Sequence, residues 1–189
     1  MKRLLNGPAF LVAGLIMGVA SAVVAVDSFG NSLVEAGSPW QGRAIPASGR
    51  ASPYVTAHYL LDGRLPQPAG QMIEFSAISD NAGNRITSSC IFRLVMTKEA
   101  QPRWWSVTAL GNVADRKLAQ TVVTSDTVVA EADGEIRIVV SRDPQAGNWL
   151  MAPRSGAYSL LYTASHETSL ALTGAAGRPA LLSINREGC

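Results

Sequence analysis

Apolar residues along this chain follow three different rhythms. From Pro8 to Val26 they run on with no charge between them (PAFLVAGLIMGVASAVVAV). As a helix that run would be roughly 29 Å long, about the ~30 Å of a bilayer's hydrocarbon core. From Tyr54 to Leu61 (YVTAHYLL) apolar residues fall at helical spacing, with Ser52 placed as N-cap, Pro53 in the first turn and Gly63 as a stop. One short helix is predicted there. After Gly70 the period becomes two, which is the rhythm of strands with one buried face.

The strand pattern is repeated. Ile73, Phe75 and Ala77 alternate with polar neighbours, and Asp80-Asn81-Ala82-Gly83-Asn84 supplies a turn. Ile86, Ser88, Cys90, Phe92, Leu94 and Met96 share one face of the next predicted strand. Trp104–Leu110, Gln120–Val123 and Thr127–Ala130 are strand-like, and Asp133-Gly134 turns into Glu135–Ser141. Tyr158, Leu160 and Tyr162 repeat the alternation, and Ala180–Ile184 closes it. About eight short strands with turn signals between them predict an all-β fold, an antiparallel β-sandwich or barrel-like domain.

The N-terminal run has two readings. Lys2 and Arg3, a short apolar core and Ala20-Ser21-Ala22 fit a signal peptide cut after Ala22. The run continues through Val26 to Asp27, long enough for an uncleaved transmembrane helix, which is the expectation taken here. Under either reading Lys2 and Arg3 stay in the cytoplasm and the rest of the chain is exported. The expected address is the bacterial inner membrane, single pass, with the C-terminal domain in the periplasm. Between helix and domain, Ser28–Pro53 is mostly Gly, Ser, Ala and Pro. That composition suggests a tether, with Trp40 expected to tuck against the domain it leads into. The expected division is therefore 1–26 membrane segment, 27–53 tether and 54–189 β domain.

Charge adds little beyond topology. Sixteen basic and fourteen acidic residues leave +2, and Lys2 with Arg3 accounts for the excess. The exported part is neutral, which removes any net-charge argument for nucleic acid. Cys90 and Cys189 are the two cysteines, and without a CxxC they do not suggest a metal or redox pair. In an oxidising compartment a disulfide between them is expected, closing a loop of about 100 residues. Two unpaired thiols are the alternative.

Gly147-Asn148-Trp149-Leu150-Met151-Ala152-Pro153 reads locally as a turn fixed by Asn148, a large apolar pair and a strand stop at Pro153. With Gly156, Tyr158, Leu160 and Tyr162 after it, the segment resembles the N-W-L-P-A-P signature of the DUF1214 family. Trp105-Ser106-Val107-Thr108 is similar to that family's W-S-x-T strand, and Asp133-Gly134 with Ile136 and Ile138 to its D-G-x-I-x-I hairpin. The resemblance covers about 70–189. It implies a jelly-roll-like domain of the cell envelope, in a short membrane-anchored form, with no established activity. Three positions depart from the family pattern: Met151 replaces a Pro, Thr163 stands where Arg is common, and Gln120–Val123 lacks a Tyr-Ser.

No stretch spells a known catalytic arrangement. His58 and His166 have no neighbour at metal-ligand spacing, so neither a metal site nor a cofactor is expected. Asp126, Glu131, Asp133 and Glu135 cluster as a solvated hairpin rim would. Among the aromatic residues Trp104, Trp105, Trp149, Tyr158 and Tyr162, core packing competes with a ligand surface. Trp105, Asn148, Trp149 and Arg154 are the candidate ligand-binding residues, able to stack on and hydrogen-bond a sugar or another planar group. The resulting expectation is a non-catalytic binding or scaffolding module whose partners are the lipid bilayer, through residues 8–26, and an envelope glycan or protein. An enzyme acting on an envelope glycan or small molecule, and a subunit of a larger inner-membrane assembly, are the two alternatives.

Overall fold

The computed structural model describes residues 6–30, 33–34, 38–42, 52–61, 72–98, 102–111, 121–165 and 181–189. Helix α1 (Asn6–Gly30) contains the apolar run, and Pro8–Val26 is long and apolar enough to cross a membrane. Helix α2 (Pro53–Leu61) forms where the 3.6-residue spacing predicts it. Ser52 caps it: its hydroxyl accepts from Val55 N at 3.3 Å and its carbonyl from Thr56 N at 3.0 Å.

Among the described residues, ten strands build two sheets. They are β1 (Leu33–Val34), β2 (Trp40–Gly42), β3 (Met72–Ala77), β4 (Ile91–Met96), β5 (Trp105–Leu110), β6 (Thr121–Thr124), β7 (Ile136–Ser141), β8 (Asn148–Met151), β9 (Ser159–Ser165) and β10 (Ser183–Gly188). A six-stranded sheet runs β1-β2-β3-β9-β5-β6, and a four-stranded sheet runs β10-β4-β7-β8. The sandwich expected from the alternation is the observed architecture, with one difference. β8 pairs parallel to β7, while every other strand pair among the described residues is antiparallel. A parallel return normally needs a long crossover. Here β8 is four residues long and starts opposite Ile138, so residues 142–147 need double back only part of a strand length.

Alternation places the core. Register puts Phe75, Tyr162, Val107 and Val123 in one row across the six-stranded sheet, all buried. Phe92, Val140 and Leu150 form the facing kind of row on the other sheet, with Leu94 beside Ile138 and Ile184 in the next. These side chains form one apolar cluster, consistent with two sheets closed face to face. The run from Ile86 to Met96 is shorter as a strand than its pattern implies. Its alternate residues are all buried, but Cys90 N donates to Thr87 O and Ser88 N to Gly156 O. A turn therefore precedes β4, and the ladder begins at Ile91. Thr127–Ala130 is not a strand either; Asn148 holds it by another route, described below.

The stretch expected to be a tether contains the end of α1 and both β1 and β2. Trp40 is 1% exposed, lies against Tyr162 with ring centroids 6.0 Å apart, and donates Nε1–H to Leu182 O at 2.5 Å. That bond joins the six-stranded sheet to the segment entering β10, across 142 residues of sequence. Gly42 sits opposite Phe75, and a Cβ at that position would run into the Phe75 ring. Composition dominated by small residues therefore has a packing reason here, at least at Gly42. The opposite edge is closed by Thr121 Oγ1 donating to Met151 O at 2.5 Å, from β6 to β8. Cys90 and Cys189 are joined by a disulfide, which fastens the end of β10 to the turn before β4.

Candidate functional site

The four candidate residues do not converge. Trp105 is 1% exposed and points from β5 into the core, opposite Ala164. Its neighbour Trp104, just before β5, is half-buried. Arg154 is exposed in the turn that follows β8. Only Asn148 and Trp149 share an element, and alternation sends them to opposite faces of the four-stranded sheet.

Asn148 is committed to the fold. Its Nδ2 donates to Val129 O at 2.8 Å and to Arg137 O at 3.0 Å, and its Oδ1 accepts from Val129 N at 2.8 Å. An amide has two N–H donors, and both are used. The side chain thus stands in for a strand, pairing with Val129 where Thr127–Ala130 forms no ladder. It has no donor left for a ligand. Sequence spacing carries no sign of this role, because the partner lies 19 residues away.

Trp149 is half-buried on the outer face of the four-stranded sheet, beside Val139. Its Nε1–H donates to Ser141 Oγ at 3.0 Å and lies 3.2 Å from Ser141 O, so the indole covers Ser141 and its one donor is spent internally. Around it the register sets out a continuous surface. Arg93, Val139 and Trp149 stand in one row, Val95 and Arg137 in the next, and Met151, 38% exposed, follows Trp149 on β8. Ion pairs flank the apolar strip. Arg93 Nε meets Glu187 Oε1 at 2.5 Å, and Arg137 Nη2 meets Asp133 Oδ2 at 2.5 Å and Glu135 Oε2 at 2.7 Å. The Arg137 guanidinium beside Asp133 holds that carboxyl below its ordinary range, and the Asp133 carboxylate in turn raises Arg137. These pairs account for Asp133 and Glu135 of the acidic cluster, as a solvated rim would.

This face can offer the edge and part of one face of an indole, flanked by aliphatic side chains and by guanidinium groups. Such a surface suits stacking and charge-assisted contacts rather than proton transfer. Arg93, Val139 and Met151 were not among the sequence candidates. Their signal was present in the shared parity of 137, 139 and 149, 151, but it becomes visible only once β8 is known to pair parallel to β7. Thr163, one of the positions expected to depart from the family pattern, stands opposite Glu74 on β3. Among the described residues no three His, Cys, Asp or Glu side chains come together as metal ligands would. His58 lies on α2, and His166 lies outside the described residues.

Residues 71–166, just over half of the chain, match the family described as a protein of unknown function, DUF1214. The chain belongs to that family. No curated protein matches it. Similar solved structures include the following two. One is an uncharacterized protein from Burkholderia cenocepacia, 22% identical, with 65% of this chain and 30% of that one covered and a TM-score of 0.47. The other is the VPA0106 protein from Vibrio parahaemolyticus, 18% identical, with 70% and 34% covered and a TM-score of 0.53. The second shares the fold of this DUF1214 chain, which spans about a third of the length of both solved chains.

Proposed function

We propose that this DUF1214 protein is a membrane-anchored, non-catalytic binding or scaffolding module on the periplasmic side of the bacterial inner membrane. The outer face of the four-stranded sheet, centred on Trp149, is the observation that carries the reading. It is the place where an aromatic ring, the aliphatic Val139 and Met151, and two arginines lie together on a rigid strand framework. The polar groups that could have served chemistry nearby, the Asn148 amide and the Trp149 N–H, are consumed by internal hydrogen bonds. An enzyme would need a convergent set of unspent polar groups. The ligand class that suits the face is an envelope glycan or the surface of an envelope protein. α1 supports the membrane part, since Pro8–Val26 has the length and composition of a span and lies unburied by the rest of the protein.

A photo-crosslinking amino acid at Met151 in full-length protein in living cells tests the reading. The expected result is a discrete adduct of an envelope glycan or protein that is absent when the probe is at Ile78, an exposed aliphatic beyond the end of β3. The adduct should weaken when Trp149→Ala removes the ring. Equal labelling at 151 and 78, or labelling indifferent to Trp149, would remove the sheet face as a binding surface.

A further inference from the structure

Helix α2 has no Asp, Glu, Lys or Arg, carries one histidine, His58, and has two apolar faces. Val55 and Tyr59 are buried, 40° apart on a helical projection at about 100° per residue. On the opposite side stand Pro53, Tyr54, Ala57, Leu60 and Leu61, of which Leu60 is 64% and Leu61 78% exposed. Val55 and Tyr59 form a cluster of their own, separate from the sandwich core. The helix packs against α1. Among the described side chains of α1, only Ala25 and Val26 are partly covered, and those from Pro8 to Val24 are exposed. α2 is therefore seated at the C-terminal end of the apolar span, at the level where the hydrocarbon core gives way to headgroups. Nine residues without Asp, Glu, Lys or Arg, held at that height, expose two leucines and a tyrosine.

We propose that α2 is a second membrane-contacting element. It lies in the periplasmic boundary of the bilayer that α1 crosses, with Tyr54, Leu60 and Leu61 against lipid. Continuity with α1 identifies the occupant: a face beside the end of a span meets the lipid around that span first. The chemistry agrees, because Tyr54, 42% exposed, is of the residue type enriched at the membrane–water interface, where one end of the ring is apolar and the other wet. A helix of this length cannot span, and lying in the interface buries its apolar face while its backbone bonds stay internal. Covalent reach sets a consequence for the β domain. β1 begins three residues after α1 ends, so the edge of the six-stranded sheet starts within about 11 Å of Gly30. With α2 also held at the boundary, the sandwich rests near the membrane surface rather than at the end of a long tether.

The inference rests on the anchored reading of α1, and the test separates the two. Full-length protein is reconstituted in phosphatidylethanolamine/phosphatidylglycerol vesicles carrying a diazirine on the acyl chain, irradiated, and mapped by peptide mass spectrometry. Adducts are expected within residues 8–26 and at Tyr54, Leu60 or Leu61, and none at Ile78. In the double variant Leu60→Asp, Leu61→Asp, which changes only exposed side chains, α2 adducts should fall at least fivefold while those on α1 persist. Labelling of α1 with none on 53–61 above the Ile78 background overturns the α2 proposal and leaves the anchor standing. Labelling of neither overturns the anchor itself.

Discussion

Replacing Trp40 examines whether residues 38–42 belong to the β domain, against the expectation from composition that they form part of a tether. The side chain is 1% exposed, lies against Tyr162 and donates Nε1–H to Leu182 O. Trp40→Ala removes the largest side chain from one edge of the sandwich, which costs about 3–5 kcal/mol for a core aromatic. It also leaves the Leu182 carbonyl without this donor, worth about 1–3 kcal/mol where the site stays dry. Trp40→Phe separates the two effects: most of the apolar volume is kept and the donor is lost, so a fall of about 1–3 kcal/mol is expected. The assay is urea unfolding of the full-length protein in mild detergent, followed by far-UV circular dichroism. Because the bond reaches the entry to β10, amide exchange in β10 should rise more than in β5. A fall below about 1 kcal/mol for Trp40→Ala, with β10 protection unchanged, would refute the reasoning and return this stretch to a tether.

Three further outcomes follow from the same structure. Cys189→Ser should lower stability by about 2–5 kcal/mol and loosen β10 first, and intact-mass measurement should find the native protein two hydrogens lighter than its reduced form. Burial raises the phenols of Tyr158 and Tyr162 well above the ordinary tyrosine value of 10.0. Both therefore favour the folded state fully below about pH 10, and stability should fall above it by about 1.4 kcal/mol per pH unit for each tyrosine. Alkaline unfolding curves of Tyr158→Phe and Tyr162→Phe should each show a shallower slope than the parent, and an unchanged slope in both would contradict the assignment. Asn148→Ala, which removes three hydrogen bonds, should cost about 2–3 kcal/mol and expose the amides around Val129 to exchange; a variant as stable as the parent would free Asn148 for a binding role.

Much of the sandwich was legible because its strands alternate cleanly. Phe92, Leu94 and Met96, or Ile136 and Ile138, have polar or smaller neighbours and fall where register places the core. α2 was legible from its spacing and its Ser52 cap. β2 was not, since three residues are too few to show a period and Gly42 is small for the sake of Phe75, a partner 33 positions on. The parallel seat of β8 was hidden for a related reason: nothing within Asn148–Met151 says which neighbour it pairs with or in which direction. That one unknown governed the candidate site. It decides that Trp149 joins Val139 and Arg93 on the outer face while Asn148 turns to Val129, and so divides residues that adjacency in sequence had grouped.

Membrane attachment is the claim on which the proposed role depends most. Alkaline carbonate extraction of the native host's membranes, followed by intact mass of the recovered protein, tests it directly. The expected result is a carbonate-resistant protein that retains residues 8–26. A soluble periplasmic species beginning near Val23 would contradict it.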